Sequence, residues 1–523
     1  MPLQKRTLYM IASVVLALSR GLGLSLVSTN VQQLQGSLSA TVVETSWLIA
    51  AYMAPQASLS ILLIKARSQF GLRAFGEVSI LGFVAVVLLS FLSDDLRSAM
   101  AVRFMWGVAA APISTLAIFY MLEAFPPEKK LTVGLTLGIT FLTIGTPVAR
   151  LISPPLIDNG GWHTITAAEL GLVLISLVFV YKLPLTPVPR AKVIHWRDLL
   201  SYALLATGLG AITIVAVMGR LYWWLDAPWL GWTLAGAILA LTLTAVLELN
   251  RETPLIDLRW VFSPSVLHFA AALLIFRMVL SEQASGAPGM FQTLGILNAQ
   301  MRLLYGVILL ATLTGAFICA ATLKEGREPA LHAVSLALLV CGAWMDSHVT
   351  SQTRPTDMLV SQAMIAVATG LFLPPSMAKG MREALPKGPV YLSSFVAVFL
   401  CTQITGGMIG SAMFSTFIQM RGAYHTNALS ESLPATDPLV TERIGQYGAA
   451  YSHVLTSSGA QQAQGLGSLS SVVSREATVL AYGDAFEIIA ALAAFALAAL
   501  LVHMTIIALR ARRAAAPGAA VTS

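Results

Sequence analysis

SILGFVAVVLLSFL, residues 79–92, decides the fold. The run carries no charge and no alternation of polar with apolar positions. A strand of a transmembrane barrel would alternate over about ten residues. An unbroken apolar run belongs instead to a helix, which satisfies its own backbone in a bilayer and needs roughly 20 apolar residues to cross ~30 Å of hydrocarbon.

Working outward, the same pattern recurs and predicts spans near 7–30, 46–64, 74–93, 97–122, 131–157, 164–183, 197–219, 228–248, 265–283, 303–323, 330–346, 356–378, 389–420 and 478–509. The fold class is an all-α polytopic membrane protein with fourteen helices. Composition agrees: the chain is 56% hydrophobic and 11% charged, too few charges to cover soluble domains. The first span is long enough to be a retained helix rather than a cleaved leader.

The net charge of +7 is topological rather than a nucleic-acid footprint. With the N-terminus in the cytoplasm, 21 of the 32 Lys and Arg fall on the cytoplasmic side and 7 outside. That asymmetry follows the positive-inside rule and places both termini in the cytoplasm. Four arginines remain, Arg20, Arg103, Arg150 and Arg277, all inside spans. Cys319, Cys341 and Cys401 show no disulfide or metal-ligand spacing, so they read as packing residues.

Two connections stand out. PLTPVPRAKVIHW, 184–196, is Pro-rich and basic and marks a break after the sixth span; 421–477, rich in Ala, Ser, Gly and Gln, lies outside. Composition makes the latter a mobile or loosely helical loop, with a docking element as the sharper reading. The expected domains are a six-helix bundle at 1–183, a linker with two extra helices at 184–264, and a second six-helix bundle at 265–523 that includes the 421–477 loop. RSQFGLRAFG after the second span and KEGREPALH after the tenth give weak support for an internal repeat. No GxxxxGK[ST], HExxH or GxSxG is present, so the sequence predicts no enzyme, no nucleotide-driven pump and no cofactor. A transporter driven by a gradient remains.

Several segments carry a family likeness. LQGSLSATVVETSWLIAAYM (34–53), RFMWGVAAA (103–111), PLIDLRWVF (254–262), QITGGMIGSAMF (403–414) and REATVLAYGDAF (475–486) resemble the fourteen-helix drug:proton antiporter branch of the major facilitator superfamily, of EmrB/QacA type. The second of these is similar to the fourth-helix motif RxxQGxGAA, with Arg103 and Gly107 in place but Trp106 where glutamine is common. Other positions depart from the pattern. Gly23 stands where the family usually has a first-helix aspartate. LIKARSQFGLRAFG places Ile64 and Ser68 in a loop that usually reads GxLxDRxGRR. The fifth span keeps Gly138, Gly145 and Pro147 of its GPxxGG region but carries Arg150, Pro154 and Pro155 near the pattern's glycines.

The resemblance implies two six-helix bundles, with two inserted helices, rocking about a central site lined by helices one, four and nine, and helix five near the wall. Arg20, Arg103, Arg150 and Arg277 would then converge on that site, and ionisable groups inside a membrane are functional candidates. Glu169 and Glu282 are the main acidic candidates, with Glu487 further off. Excess arginine favours carboxylate, sulfonate or phosphate, so an anionic amphiphile is the expected cargo. Arginine cannot release a proton, which leaves Glu282, Glu169 or His268 to carry one, Glu282 foremost. Gly107, Gly138, Gly145, Pro147, Gly406, Gly407 and Gly410 read as packing or hinge positions. Lys65, Arg67 and Arg73 read either as topogenic charges or as gating residues of the cytoplasmic loop.

The functional expectation is proton-coupled export of small amphiphilic compounds across a bacterial cytoplasmic membrane. Its partners would be substrate, protons, the bilayer and, in cells with two membranes, a periplasmic adaptor and an outer-membrane channel. The rival expectations are a dedicated exporter or importer of one metabolite anion, and a transporter-like receptor or scaffold that moves nothing.

Overall fold

A computed structural model describes residues 2–93, 95–158, 161–187 and 190–515, and no strand occurs among them. Fourteen helices are long and apolar enough to cross a membrane: α1 Leu3–Ser28, α2 Val42–Phe70, α3 Leu72–Ser90, α4 Leu96–Glu123, α5 Pro127–Asp158, α6 Gly161–Lys182, α7 Trp196–Met218, α8 Pro228–Leu249, α9 Pro264–Thr293, α10 Arg302–Thr322, α11 Glu328–Asp346, α12 Leu359–Lys387, α13 Val390–Glu431 and α14 Ser458–Arg510. With an even number of spans, the two ends of the chain share one face, here the terminal face. The other is the far face.

Local chemistry sets the helix ends. Thr41 and Glu44 form a capping box before α2, and the Asp95 carboxylate accepts from the Arg97 and Ser98 amides at the start of α4. The α2–α3 connection is one residue, Gly71, whose φ of +83° suits a residue without a Cβ. Prolines interrupt α2, α4, α5 and α12, and π-turns occupy Lys130–Gly134 in α5 and Glu282–Gly286 in α9.

Packing separates the chain into two bundles. The apolar side chains of α1–α6 fill two adjoining cores, and those of α9–α14 fill another, which also takes in Leu135 and Ile139 of α5. α5 runs against α10 and α12, forming one seam between bundles; α2 against α13 forms the other. The inserted pair lies over that second seam, where Leu205 and Leu209 of α7 pack with Ala57 and Ile61 of α2 and Ala397 of α13. The Pro-rich linker is tethered to the α2–α3 turn, with the Ala191 amide donating to the Ser68 carbonyl and the Ile194 amide to Gln69 Oε1.

The region 421–477 is largely helical, which replaces the loosely structured expectation. α13 continues to Glu431, a short helix follows at Pro438–Ala449, and α14 starts at Ser458, well before its apolar run. The short helix packs on the leading part of α14 through two glycines. A Cβ at Gly448 would meet the Gln461 carbonyl, and one at Gly465 the Ile444 carbonyl. At the base, Arg421 and His425 of α13 hold Asp484 of α14 at 2.6 and 2.8 Å. Residues 516–523, the end of the expected second bundle, lie outside the described residues.

Candidate functional site

A buried charge in a membrane span must find polar partners. Arg103 of α4 is 2% exposed and donates from Nη1 to the Gly23 carbonyl of α1 at 2.7 Å. Its guanidinium also lies over the Tyr52 ring at 4.8 Å and near that of Trp106 at 5.9 Å. Its Nε and Nη2 have no hydrogen-bond partner. Glu169 of α6, also buried, is near enough to act electrostatically on both Arg103 and Tyr52, yet makes no ion pair with Arg103. Its Oε1 is likewise unpartnered. Arg20 joins the group from α1, donating from Nη2 and Nε to the Gln56 amide oxygen at 2.8 and 3.1 Å when that amide is turned to accept. Arg20, Arg103 and Glu169 thus surround Tyr52 within the first bundle.

The two departures in this region fit each other. A Cβ on Gly23 would collide with the six-membered ring of Trp106. Trp106 is fixed in turn by its Nε1 donating to Ser90 Oγ at 2.9 Å and by edge contact with Phe83. An aspartate therefore has no room at position 23. The Arg103 guanidinium meets the Gly23 backbone carbonyl instead.

Neighbouring glycines serve close approach. A Cβ on Gly107 would strike the Tyr52 carbonyl, so α4 and α2 touch backbone to backbone there; Gly145 of α5 similarly faces Gly21 of α1, its Cβ falling 2.7 Å from that Cα. Gly138 has only ordinary contact with Met121, and Pro147 is buried in α5.

Arg150 and Arg277 sit at two other interfaces. Arg150 of α5 reaches across to the second bundle, donating from Nη1 to Asn298 Oδ1 at 2.9 Å and lying over the Tyr305 ring. Asn298 Nδ2 returns the link by donating to the Thr29 carbonyl at 3.1 Å and to Asn30 Oδ1 at 3.0 Å. This latch spans the far face. Arg277 of α9 faces α13, its Nη2 against Gly407, and its Nε has no partner. Gly406 takes Leu274 and Gly410 takes Ser281 on the same interface. None of the four arginines makes an ion pair among the described residues.

The basic residues after the second span divide. Lys65 pairs at 2.8 Å with Asp198 of α7, which also accepts from Arg251 at 2.6 Å, and Arg251 holds Glu248 of α8 at 2.8 Å. Arg67 lies over the Phe119 ring, and exposed Arg73 pairs with Glu77 on its own helix. Glu487 and His268 are exposed on their helices.

Glu282 is fully buried in α9, and its neighbour through Gln362 is Asp346, the last residue of α11. Asp346, Gln362, Gln56 and Asn298 were not among the expected site residues. Asp346 was legible as an acid closing a predicted span at 330–346; the three amides carry no comparable signal.

Helical halves that meet along two seams, bury charges between their helices and are joined at the far face by exchangeable hydrogen bonds define a membrane transporter. Residues 10–281 match the model of the Major Facilitator Superfamily. The chain belongs to that family, in its fourteen-helix branch. It is 20% identical over 444 residues to the colistin resistance protein EmrB of Acinetobacter baumannii, covering 83% of this chain and 84% of that one. It is 25% identical over 240 residues to the fatty acid resistance protein FarB of Neisseria gonorrhoeae, covering 43% of this chain and less than half (44%) of that one. Among solved structures, the proton:xylose symporter XylE superposes with a TM-score of 0.53 at 13% identity, over 93% of this chain and 94% of that one.

Proposed function

We propose that the protein exports small amphiphilic compounds from the cytoplasm in exchange for protons, by rocking 1–183 against 265–523. The terminal face is then cytoplasmic, a placement that the distribution of Lys and Arg supports. The observation that carries this reading is the Arg150–Asn298–Asn30 latch. It joins the bundles by hydrogen bonds that can be exchanged for water, beside a cavity of about 60 Å³ between Asn30, Gln292 and Asn298. This reading gives Arg20, Arg103 and Glu169 within the first bundle and Arg277 within the second to polar cargo heads, and Glu282 to the proton.

Anionic cargo is favoured by one specific feature: Arg277 lies between α9 and α13 and, among the described residues, pairs with no carboxylate. The name of the FarB relative, fatty acid resistance, points to amphiphiles of that charge. The helical protrusion at 421–477 is the surface this reading gives to a periplasmic adaptor and, through it, an outer-membrane channel.

The test uses the full chain in inverted vesicles with an acidic lumen and three fluorescent dyes: sulfonated, carboxylated and quaternary-ammonium. Gradient-driven uptake that a protonophore abolishes is expected, fastest for the two anionic dyes. The reverse ranking overturns the anionic assignment, and no gradient-dependent uptake of any dye overturns export.

A further inference from the structure

On the first helix Trp106 fills the space against Gly23, so no acid fits at that position. The second bundle holds two acids in an arrangement that both ionised carboxylates could not keep.

Glu282 lies at the start of the π-turn Glu282–Gly286 in α9 and is 0% exposed; Asp346 of α11 is 2% exposed, and Gln362 of α12 is 0% exposed. Such turns widen a helix locally and are frequent at functional sites. One amide nitrogen, Gln362 Nε2, donates to Glu282 Oε1 at 2.6 Å and to Asp346 Oδ2 at 2.8 Å, using both its hydrogens. Ser361 Oγ donates to the other Asp346 oxygen. Gln283 Nε2 holds the Gln362 amide in place through its Oε1 at 3.2 Å and its backbone carbonyl at 2.9 Å.

That leaves Glu282 Oε2 buried with no donor. One nitrogen binding an oxygen of each acid sets the two carboxyls side by side, and when both are ionised neither can donate to the other.

Among the described residues no Lys, Arg or His pairs with either acid. On α9, Arg277 faces Gly407 of α13. After α11, His348 bonds to Trp344 and Ser347 of its own turn. From α13 and α14, Arg421 and His425 are committed to Asp484, and Tyr482 approaches Gly289. Neither Glu282 nor Asp346 makes an ion pair among the described residues. Two negative charges buried side by side without a counter-ion are strongly disfavoured, whereas one proton shared between them removes the repulsion and supplies the missing donor.

We propose that Glu282 and Asp346 form a binding site for a single proton, bridged by Gln362, and that this is the coupling site of the second bundle. The coupling role rests on the export reading; the binding itself does not. The Glu169 carboxylate of the first bundle differs, because Arg103 stands near it as a compensating charge.

The test reads protonation directly. Infrared spectra of the full chain in lipid vesicles, with no transported compound present, are recorded for the native chain and for Glu282→Gln. The difference spectrum at neutral pH is expected to show the C=O stretch of one neutral carboxylic acid per chain. That component is lost in Glu282→Gln, whereas in Asp346→Asn it persists at a shifted frequency, because burial without a counter-ion still holds Glu282 neutral after its hydrogen-bonding neighbour has changed. Glu282→Asp, which keeps a carboxyl should Glu282→Gln fail to fold, moves the component to a new frequency.

Absence of any component sensitive to position 282 overturns the proposal, as does its loss on adding sodium at constant pH, which would make the pair a metal-cation site. Vesicles that retain the component but move no dye would sink the export reading alone.

Discussion

Gly23 and Trp106 are two departures from one family pattern that turn out to be a single substitution in space. Gly23→Ala should cost roughly 1–3 kcal/mol, because a methyl group must displace a ring pinned by Ser90 and Phe83. In the background of Trp106→Ala the same methyl enters vacated volume. Thermal unfolding of the two single variants and the double should therefore show a cycle that is not additive, the double costing less than the sum. Strict additivity would mean that the two residues do not meet. Each departure was visible in the sequence, but their pairing was not, since they are separated by all of α2 and α3. Asp346 was visible as an acid, but its role was not. An acid at the end of an apolar run reads as interfacial until α9 and α12 are seen to close over it.

Two sets of contacts decide how elements hold together. Asp198 is fully buried and takes Lys65 from α2 and Arg251 from the end of α8, so one carboxylate fastens the inserted pair to the first bundle. Asp198→Asn leaves two cations without that charge and should lower stability by about 3–5 kcal/mol, read as a fall in the unfolding midpoint of the full chain. An unchanged midpoint would make the pair independent of this network. At the far face, Gly465→Val should push the 438–449 helix off α14, because its side chain would meet the Ile444 backbone. Hydrogen exchange should then rise in 438–449 and stay unchanged in the spans. The number and type of spans was legible from apolar run length alone. The extension of α13 and α14 beyond the bilayer was not, because its Ala, Ser and Gly content fits a loop as well as a helix, and only the close glycine contacts decide.

Across the whole molecule the seam along α5 is closed by unlike means. Toward the terminal face Leu135 and Ile139 enter the core of the second bundle, with Thr136 beside Cys319; toward the far face the closure is Arg150, Asn298 and Asn30. Hydrogen bonds to charged groups contribute about 1.5–3 kcal/mol, so Arg150→Ala should shift the balance toward a far-open form about tenfold or more. The readout is maleimide labelling at a Ser28→Cys reporter in a chain whose three native cysteines are replaced by alanine. Labelling no faster than in the parent would show that the latch does not govern opening.

The helix α14 has a consequence for how such opening would be felt outside the bilayer. It is one uninterrupted rod from Ser458 to its end at the terminal face, and its leading twenty or so residues project roughly 30 Å before the apolar run begins. Clamped to α13 at Asp484 and stiffened by the 438–449 helix, that projection is a lever arm with its fulcrum in the membrane. Under the proposed rocking, a small tilt of the second bundle would become a larger sideways sweep at the tip, and the state of the interior would be broadcast mechanically to whatever stands on the far side.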